Sequence, residues 1–431
     1  MKNLQRKLLI VSLLAISATI LGACKKEETP ADQPVTLVYW GLWEPESVME
    51  EIIEEYQQLH PNVTIEYTRR PYSGGQYKQA LLERLPEEDP RKAPDIMRIS
   101  NTWLPELVDE LAPIPTDIMS EAEYTQTFYD TALRDFKANG NIYAIPLEVD
   151  TLGLFYNIDL FRNEGLTIPP TDWDSFIEYA KKLTKKEDSK ITQAGAALGS
   201  SSNVLHSAEI LSLLMLQSGI QMVDDNKTEA IFDTSNNAQG VTVVEYYTDF
   251  IERHGIWGEE LPSSLDMFIS GKLGMMIAPS WRVFDILDAN PKFEFNTAKV
   301  PQISLGNEVN YSTYWAEAVS KDATDTKAAW EFVKFLSGAE QLQKLYDKES
   351  ELRAFGEPYA RKDLKDEIKN APYVGPFVQM APTAKNWYMG NDEVAFDALD
   401  ILITNVLSGT SATKATEAAA EKVTFELTKL Q

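Results

Sequence analysis

The chain has 431 residues, with 40 basic and 66 acidic side chains and a formal net charge of −26 at pH 7. So acidic a chain is not expected to bind nucleic acid or anionic lipid head groups. Its single cysteine excludes an intrachain disulfide and a zinc site built from several thiolates.

Residues 1–23 have the pattern of a secretory signal peptide. Basic residues precede an apolar run over 8–21, which is too short to span a bilayer comfortably. The run ends in Leu21-Gly22-Ala23-Cys24, which resembles the lipobox of bacterial lipoproteins. We therefore expect a lipid on Cys24 that anchors the protein to the extracytoplasmic face of the cell membrane. An ordinary secretory signal with an incidental cysteine is the alternative.

Residues 24–34 are charged, contain proline and carry no large apolar side chain, so they are expected to form a flexible tether. The remaining chain of about 400 residues is too long for one core. We expect two lobes. The first comprises residues 35–148 plus about 300–340, and the second comprises residues 152–296 plus about 345–431.

The folded part opens with a strand–helix–strand pattern. Residues 35–39 and 63–67 are rich in β-forming residues, and apolar residues recur at helical spacing between them. This pattern predicts a parallel α/β sheet, in which ligands bind beyond the carboxyl ends of strands. Trp43 and Glu44 follow the first strand and are therefore candidate ligand-binding residues. Packing of Trp43 on its own loop is the alternative.

Residues 141–161 form two short extended segments with a polar break. Pro146 denies an amide donor to a continuing central strand. Glu148 and Asp150 then project to one face of the extended chain, which is costly unless that face meets water or a ligand. On local pattern alone, a solvated turn explains this break equally well.

The later chain alternates between helices and short strands. A capping pattern predicts a helix that begins after Thr171. Residues 191–204 predict a strand that ends in a polar loop over residues 200–203, where Asn203 is a candidate for polar contacts with a ligand. Glycine–serine flexibility is the competing interpretation of that loop. Residues 340–431 are predicted to be helical.

Several motifs, in order along the chain, resemble those of the extracellular solute-binding proteins of ABC importers, the family of maltose- and oligosaccharide-binding proteins. Residues 142–161 resemble Ile-Tyr-x-Ile-Pro-x-x-Val-Asp-Thr-x-x-Leu-x-Tyr-Asn-x-Asp-Leu-Phe. Residues 268–281 resemble Phe-x-x-Gly-Lys-x-x-Met-x-x-x-Gly-x-Trp, and residues 328–336 resemble Ala-Ala-Trp-x-Phe-x-Lys-Phe-Leu. The resemblance covers nearly the whole chain after the signal peptide.

This resemblance implies the two-lobed periplasmic-binding-protein fold of type II, an α/β fold. Each lobe is expected to hold a mostly parallel sheet flanked by helices. Residues 148–152 and two return strands would form the hinge on which the lobes close over a small-molecule solute. The closed form would then dock on the transmembrane subunits of a permease. We expect a monomer that is not an enzyme and that has no cofactor and no metal.

The resemblance also implies ligand contacts. Asp150 is expected to bind a sugar hydroxyl and Trp281 to stack on a sugar ring. Trp315 lies where the family commonly has glycines, so it suggests an aromatic wall or merely different packing. The complete set of candidate ligand-binding residues is Trp43, Glu44, Asn101, Trp103, Asp150, Asn203, Trp281, Arg282, Trp315 and Trp387.

Aromatic rings beside carboxylates and amides suit a carbohydrate, because sugars offer an apolar C–H face and paired hydroxyls. A polyamine or other non-sugar solute is the first alternative, since the chain is acidic. A surface glycosidase would also combine aromatic and acidic residues. A metal-ion binder is disfavoured, because His60, His206 and His254 are scattered singly.

Overall fold

The computed structural model describes residues 33–72, 75–87 and 93–430. The predicted signal peptide, Cys24 and most of the predicted tether lie outside these residues. Within them, no helix is long and apolar enough to cross a membrane.

The helices and strands follow one another in this order: β1 (Val35–Gly41), α1 (Glu46–Leu59), β2 (Val63–Arg69), α2 (Gln76–Arg84), β3 (Ile96–Ser100), α3 (Leu104–Leu107), α4 (Glu121–Thr127), α5 (Asp130–Phe136), β4 (Lys137–Ala138), β5 (Asn141–Ile142), β6 (Ala144–Pro146), β7 (Leu152–Asn157), α6 (Ile158–Asn163), α7 (Trp173–Leu183), β8 (Lys185–Glu187), β9 (Lys190–Ala196), α8 (Ser207–Gln217), α9 (Ser235–Glu252), α10 (Ser264–Ile269), β10 (Leu273–Pro279), α11 (Arg282–Ala289), β11 (Phe295–Ala298), β12 (Asn310–Tyr311), β13 (Trp315–Val319), α12 (Thr326–Leu336), α13 (Ala339–Leu352), α14 (Lys365–Ile368), α15 (Gly375–Met380), β14 (Ala384–Lys385), α16 (Asp392–Leu407) and α17 (Ala412–Thr428). Short 3₁₀ helices cover Val108–Glu110, Lys362–Leu364 and Ala381–Thr383.

The first lobe is built on a five-stranded sheet with the strand order β2-β1-β3-β13-β6. Strand β1 is parallel to β2 and β3, whereas β13 is antiparallel to both of its neighbours. The carboxyl ends of β1 and β3 therefore lie at the same edge as the start of β13. Residues that follow β1 and β3, or that open β13, must meet at this edge.

The second lobe is built on a five-stranded sheet with the order β11-β7-β10-β9-β8. The two-lobed α/β fold is thus confirmed, but this sheet is mixed and not mostly parallel. Strand β7 is antiparallel to both β10 and β11, and β8 is antiparallel to β9. The direction of β7 differs because this strand leaves the first lobe, whereas β11 runs back towards it.

Neighbouring extended segments connect the lobes. The amide of Val149 donates to the carbonyl of Pro358 at 2.9 Å, and the amide of Ala360 donates to the carbonyl of Leu147 at 3.2 Å. On the other side, the amide of Thr313 donates to the carbonyl of Asp150 at 3.0 Å. The crossing over residues 147–151 is therefore held between two further segments of chain.

The chain after the hinge contributes helices to both lobes. Helices α16 and α17 pack on each other and on α9, in the second lobe. Helix α13 instead packs on α1, with ion pairs from Lys344 to Glu55 at 2.7 Å and from Lys348 to Glu51 at 2.6 Å. Residues 345–352, which were expected in the second lobe, thus lie against the first.

Helix α7 begins after a side-chain cap at Asp172. The side chain of Asp172 accepts a hydrogen bond from the amide of Ser175 at 2.8 Å. The predicted cap at Thr171 is therefore wrong by one residue. Asp172 has extended backbone angles, which bring its carboxylate over the first turn of the helix.

Candidate functional site

A cavity of about 480 Å³ lies between the lobes, next to the crossing segments. Its volume falls within the range of small-molecule binding sites. It is lined by Trp43, Tyr72, Ser100, Asn101, Thr102, Trp103, Glu148, Asp150, His206, Glu209, Pro279, Trp281, Phe284, Asp285, Tyr311, Ser312, Thr313, Trp315, Arg353, Glu357, Asn386, Asp392 and Phe396.

The first lobe presents a wall of aromatic rings. The centroid of Trp315 lies 5.3 Å from that of Trp43, 5.4 Å from that of Tyr72 and 5.0 Å from that of Trp103. The interplanar angles are 78–85°, so the rings pack edge to face. Trp43 and Trp103 follow β1 and β3, and Trp315 opens β13 opposite Ser100. The sheet topology thus collects these rings at one edge.

The second lobe contributes Trp281, which follows β10 and remains 40% exposed. The guanidinium carbon of Arg282 lies 3.9 Å from the centre of the indole ring. The ring of His206 meets the indole edge-on at 5.9 Å. Arg282 is held in turn by Asp285, at 2.8 Å. Arg282 does not line the cavity itself and instead supports Trp281.

Asp150 links the crossing segment to the second lobe. One carboxylate oxygen accepts hydrogen bonds from the backbone amide and the hydroxyl of Ser280, both at 2.9 Å. The other accepts from the amide of Thr151 at 2.8 Å. Burial raises the pKa of Asp150 to about 8, against the lowering effect of these hydrogen bonds. The carboxyl group is therefore mostly protonated at pH 7.

A second buried carboxyl group lies beside it on the hinge. Burial raises the pKa of Glu148 well above its ordinary value, and the charge of Glu357 and a hydrogen bond to it add to the rise. Although burial opposes it, Arg353 lowers the pKa of Glu357 to about 2 and contacts it at 2.7 Å. The two carboxyl groups therefore interact strongly, with the pKa of Glu148 raised and that of Glu357 lowered.

The structure places Glu44 away from the cavity. Its carboxylate is buried and forms an ion pair with Arg98, which also donates to Glu317 at 2.7 Å. Trp43 and Glu44 lie in the bend between β1 and α1, where the carboxylate of Glu44 turns into the lobe and the ring of Trp43 lines the cavity. Glu44 is therefore a structural residue of the first lobe.

Asn203 and Trp387 also point away from the cavity. The amide group of Asn203 donates to the carbonyls of Gly258 and Leu261, at 2.9 and 3.0 Å, and its oxygen accepts from Trp257. The indole nitrogen of Trp387 donates to the hydroxyl of Ser212 on α8 at 3.2 Å. Both side chains are engaged inside the second lobe.

Asn101 and Trp103 line the cavity, but their polar atoms have partners in the protein. The amide of Asn101 donates to Asp135 at 3.1 Å, and Trp103 donates through Nε1 to Asp392 at 2.9 Å. Of the sequence candidates, the structure brings six together at the cavity: Trp43, Asn101, Trp103, Asp150, Trp281 and Trp315.

Most of the cavity residues that come from the chain after the hinge were not predicted from the sequence. Asp392 accepts from Thr102 at 2.7 Å and from Lys78 at 2.6 Å, both in the first lobe. The sequence contained a cap before α16, since Asn391 accepts from the amide of Val394 at 2.9 Å. The capping pattern at Asn391 does not indicate which groups across the cleft Asp392 contacts. Across the described residues, no group of three or more His, Cys, Asp or Glu side chains could hold a metal ion.

Residues 42–343 match the family model of the bacterial extracellular solute-binding proteins. The chain is 23% identical to the multiple sugar-binding protein of Streptococcus mutans, over 89% of this chain and 88% of that protein. It is 25% identical to the maltodextrin-binding protein MdxE of Bacillus subtilis, over 91% of each chain.

Two solved structures share the fold. A cyclo/maltodextrin-binding protein complexed with maltotetraose superposes with a TM-score of 0.75 at 18% identity, over 91% of this chain and 97% of that chain. The cyclic alpha-maltosyl-1,6-maltose binding protein from Arthrobacter globiformis also gives a TM-score of 0.75, at 21% identity, over 92% of this chain and 100% of that chain. The chain belongs to the family of bacterial extracellular solute-binding proteins.

Proposed function

We propose that this protein captures a neutral mono- or oligosaccharide between its lobes and delivers it to the permease of an ABC importer. One observation carries the proposal. The rings of Trp43, Tyr72 and Trp315 on the first lobe and the exposed ring of Trp281 on the second line the same cavity. Aromatic rings on both lobes can pack against the C–H faces of sugar rings, while the polar hinge between them meets the hydroxyls.

The charge of the cavity supports a neutral ligand. Six acidic side chains line it: Glu148, Asp150, Glu209, Asp285, Glu357 and Asp392. Four of them have a basic or imidazole partner, in the pairs Asp285–Arg282, Glu357–Arg353, Asp392–Lys78 and Glu209–His206. Burial raises the pKa of the other two, Glu148 and Asp150, and so disfavours their charged forms. A polyamine needs unpaired carboxylates, which this arrangement does not provide.

Membership of an extracellular family means that the chain works outside the cytoplasm. The lipobox-like tetrad that ends in Cys24 supports attachment to the cell membrane through a lipid on that cysteine. Relatives include a maltooligosaccharide ABC transporter solute-binding lipoprotein of Streptococcus pneumoniae, 24% identical over 57% of this chain and 56% of that protein. The partner that we propose is accordingly a membrane permease, and the protein acts on it as a monomer.

The test is thermal melting of the protein without its signal peptide, with maltotetraose, mannobiose, mannotriose and α-D-tagatose. A ligand that binds only the folded state must stabilise it, by about 2.7 kcal/mol at one hundred times its dissociation constant. We expect a saturable rise in melting temperature with at least one sugar and none with spermidine. A rise with spermidine alone would replace the sugar by a cationic solute. Hydrolysis of an aryl glycoside would contradict a purely binding role.

A further inference from the structure

Tyr311 lines the cavity, and the fold leaves its buried hydroxyl without a hydrogen-bond partner among the described residues. Tyr311 is only 1% exposed. The indole nitrogen of Trp103, on the opposite lobe, is by contrast bonded to Asp392. A buried hydroxyl without a partner destabilises a protein, so its presence in a binding cavity requires an explanation.

The strand β12 directs this side chain towards the cavity. Asn310, the preceding residue, faces the interior of the second lobe, where it donates to the hydroxyl of Thr383 at 2.7 Å and accepts from Gln302 at 3.1 Å. Successive side chains of a strand point to opposite faces, so the ring of Tyr311 leaves on the other side. Ser312 and Thr313, which follow it, also line the cavity.

The acidic groups around Tyr311 do not take its proton. Burial, and then the charges of Glu209, Asp392 and Asp135, raise the pKa of Tyr311 well above its ordinary value. Asp392 already accepts from Lys78, Thr102 and Trp103, and Glu209 is hydrogen-bonded to His206. The phenol is therefore neutral and keeps its hydrogen available for another acceptor.

We propose that Tyr311 is a specificity-determining residue whose hydroxyl hydrogen-bonds a hydroxyl of the captured sugar. This inference rests on the proposed function and adds a selection rule to it. A sugar whose hydroxyl reaches Tyr311 forms a hydrogen bond with the buried phenol. The analogue that lacks this hydroxyl leaves the phenol without a partner. A site built around such a hydrogen bond rejects the analogue that lacks it more strongly than an apolar pocket rejects a change in size.

The test compares wild type with Tyr311→Phe and Tyr129→Phe. Tyr129 is the matched control, because its hydroxyl is also buried and without a partner among the described residues, yet Tyr129 does not line the cavity. Affinity is measured by calorimetry with whichever of maltotetraose, mannobiose, mannotriose and α-D-tagatose binds the wild type most tightly. Melting temperatures are measured without sugar.

We expect Tyr311→Phe to bind the sugar about tenfold more weakly, while Tyr129→Phe binds it as the wild type does. Without sugar, Tyr311→Phe should melt at the same temperature as the wild type or higher, because no hydrogen bond is lost. Unchanged affinity of Tyr311→Phe, or a clearly lower melting temperature, would overturn the inference and leave the proposed function intact. If the wild type binds none of the four sugars, the proposed function fails first and this inference with it.

Discussion

The indole nitrogen of Trp103 donates a 2.9 Å hydrogen bond to the carboxylate of Asp392, across the cleft between the lobes. Trp103 follows β3 of the first sheet, whereas Asp392 opens α16, which packs on α8 and α17. The same carboxylate accepts from Thr102 and Lys78. One side chain of the second lobe thus ties together three donors of the first.

Replacing Asp392 by Asn should loosen this connection. The amide keeps the size of the side chain but removes the ion pair with the buried Lys78, and hydrogen bonds to charged groups contribute about 1.5–3 kcal/mol. We expect Asp392→Asn to have a larger radius of gyration than wild type in small-angle X-ray scattering without sugar. Because only the closed arrangement brings both walls to the ligand, sugar affinity should fall about tenfold.

Asp400→Asn is the matched control for this experiment. Asp400 lies on the same helix, but it accepts from Ser207 at 2.6 Å within the second lobe. Its substitution should leave both the radius of gyration and the affinity unchanged. Equal scattering curves for Asp392→Asn and wild type would show that the contact does not hold the lobes together.

Trp281→Ala should weaken sugar binding without unfolding the protein. The indole is 40% exposed, so its removal costs little core packing, whereas its contact with a sugar ring is lost. Burial of aromatic surface of this size contributes about 1–3 kcal/mol. Calorimetry with the sugar found by melting would measure the loss. Trp387→Phe provides the contrast, since Trp387 lies inside the second lobe, and it should change stability rather than affinity.

The aromatic residues of the first lobe could be predicted from the sequence, because they lie next to the ends of strands. Trp43, Trp103 and Trp315 lie at one edge because they follow or open neighbouring strands, and strand ends can be read from the sequence. Glu44 was a candidate for the same reason, yet it turns inwards to Arg98. Trp43 and Glu44 are neighbours in the bend after β1, and sequence patterns rarely predict which of two adjacent loop side chains turns inwards.

The site residues from the chain after the hinge could not be predicted, because their positions depend on contacts between distant parts of the chain. Asp392 meets Lys78, and Glu357 meets Glu148, although more than 200 residues separate each pair. The helical prediction for residues 340–431 includes α16, but it contains no information about the lobe that the first turn of this helix faces. The mixed second sheet escaped prediction for a similar reason, because the direction of β7 follows from the crossing between lobes.

Arg98→Met should destabilise the first lobe strongly. Arg98 is 1% exposed and contacts the buried carboxylates of Glu44 and Glu317. Removing the cation leaves two buried charges uncompensated, which costs about 3–5 kcal/mol in comparable cases. Urea unfolding would show the loss as a lower midpoint. The triple variant Glu44→Gln, Arg98→Met, Glu317→Gln should recover much of it, because no buried charge then remains. A triple variant as unstable as the single one would contradict this electrostatic explanation.

Asp150→Asn should change how stability depends on pH. The pKa of Asp150 is raised by burial from its ordinary value of 3.8 to about 8. The folded state therefore binds the proton more tightly than the unfolded state does. The corresponding stabilisation is complete below pH 3.8 and is lost as the pH rises to about 8. Asparagine has no such proton. The melting temperature of Asp150→Asn should therefore increase relative to that of the wild type as the pH rises from about 4 to 8. A constant difference across this range would show that the carboxyl group is already ionised in the folded protein, held by Ser280 and Thr151 as a charge-assisted acceptor.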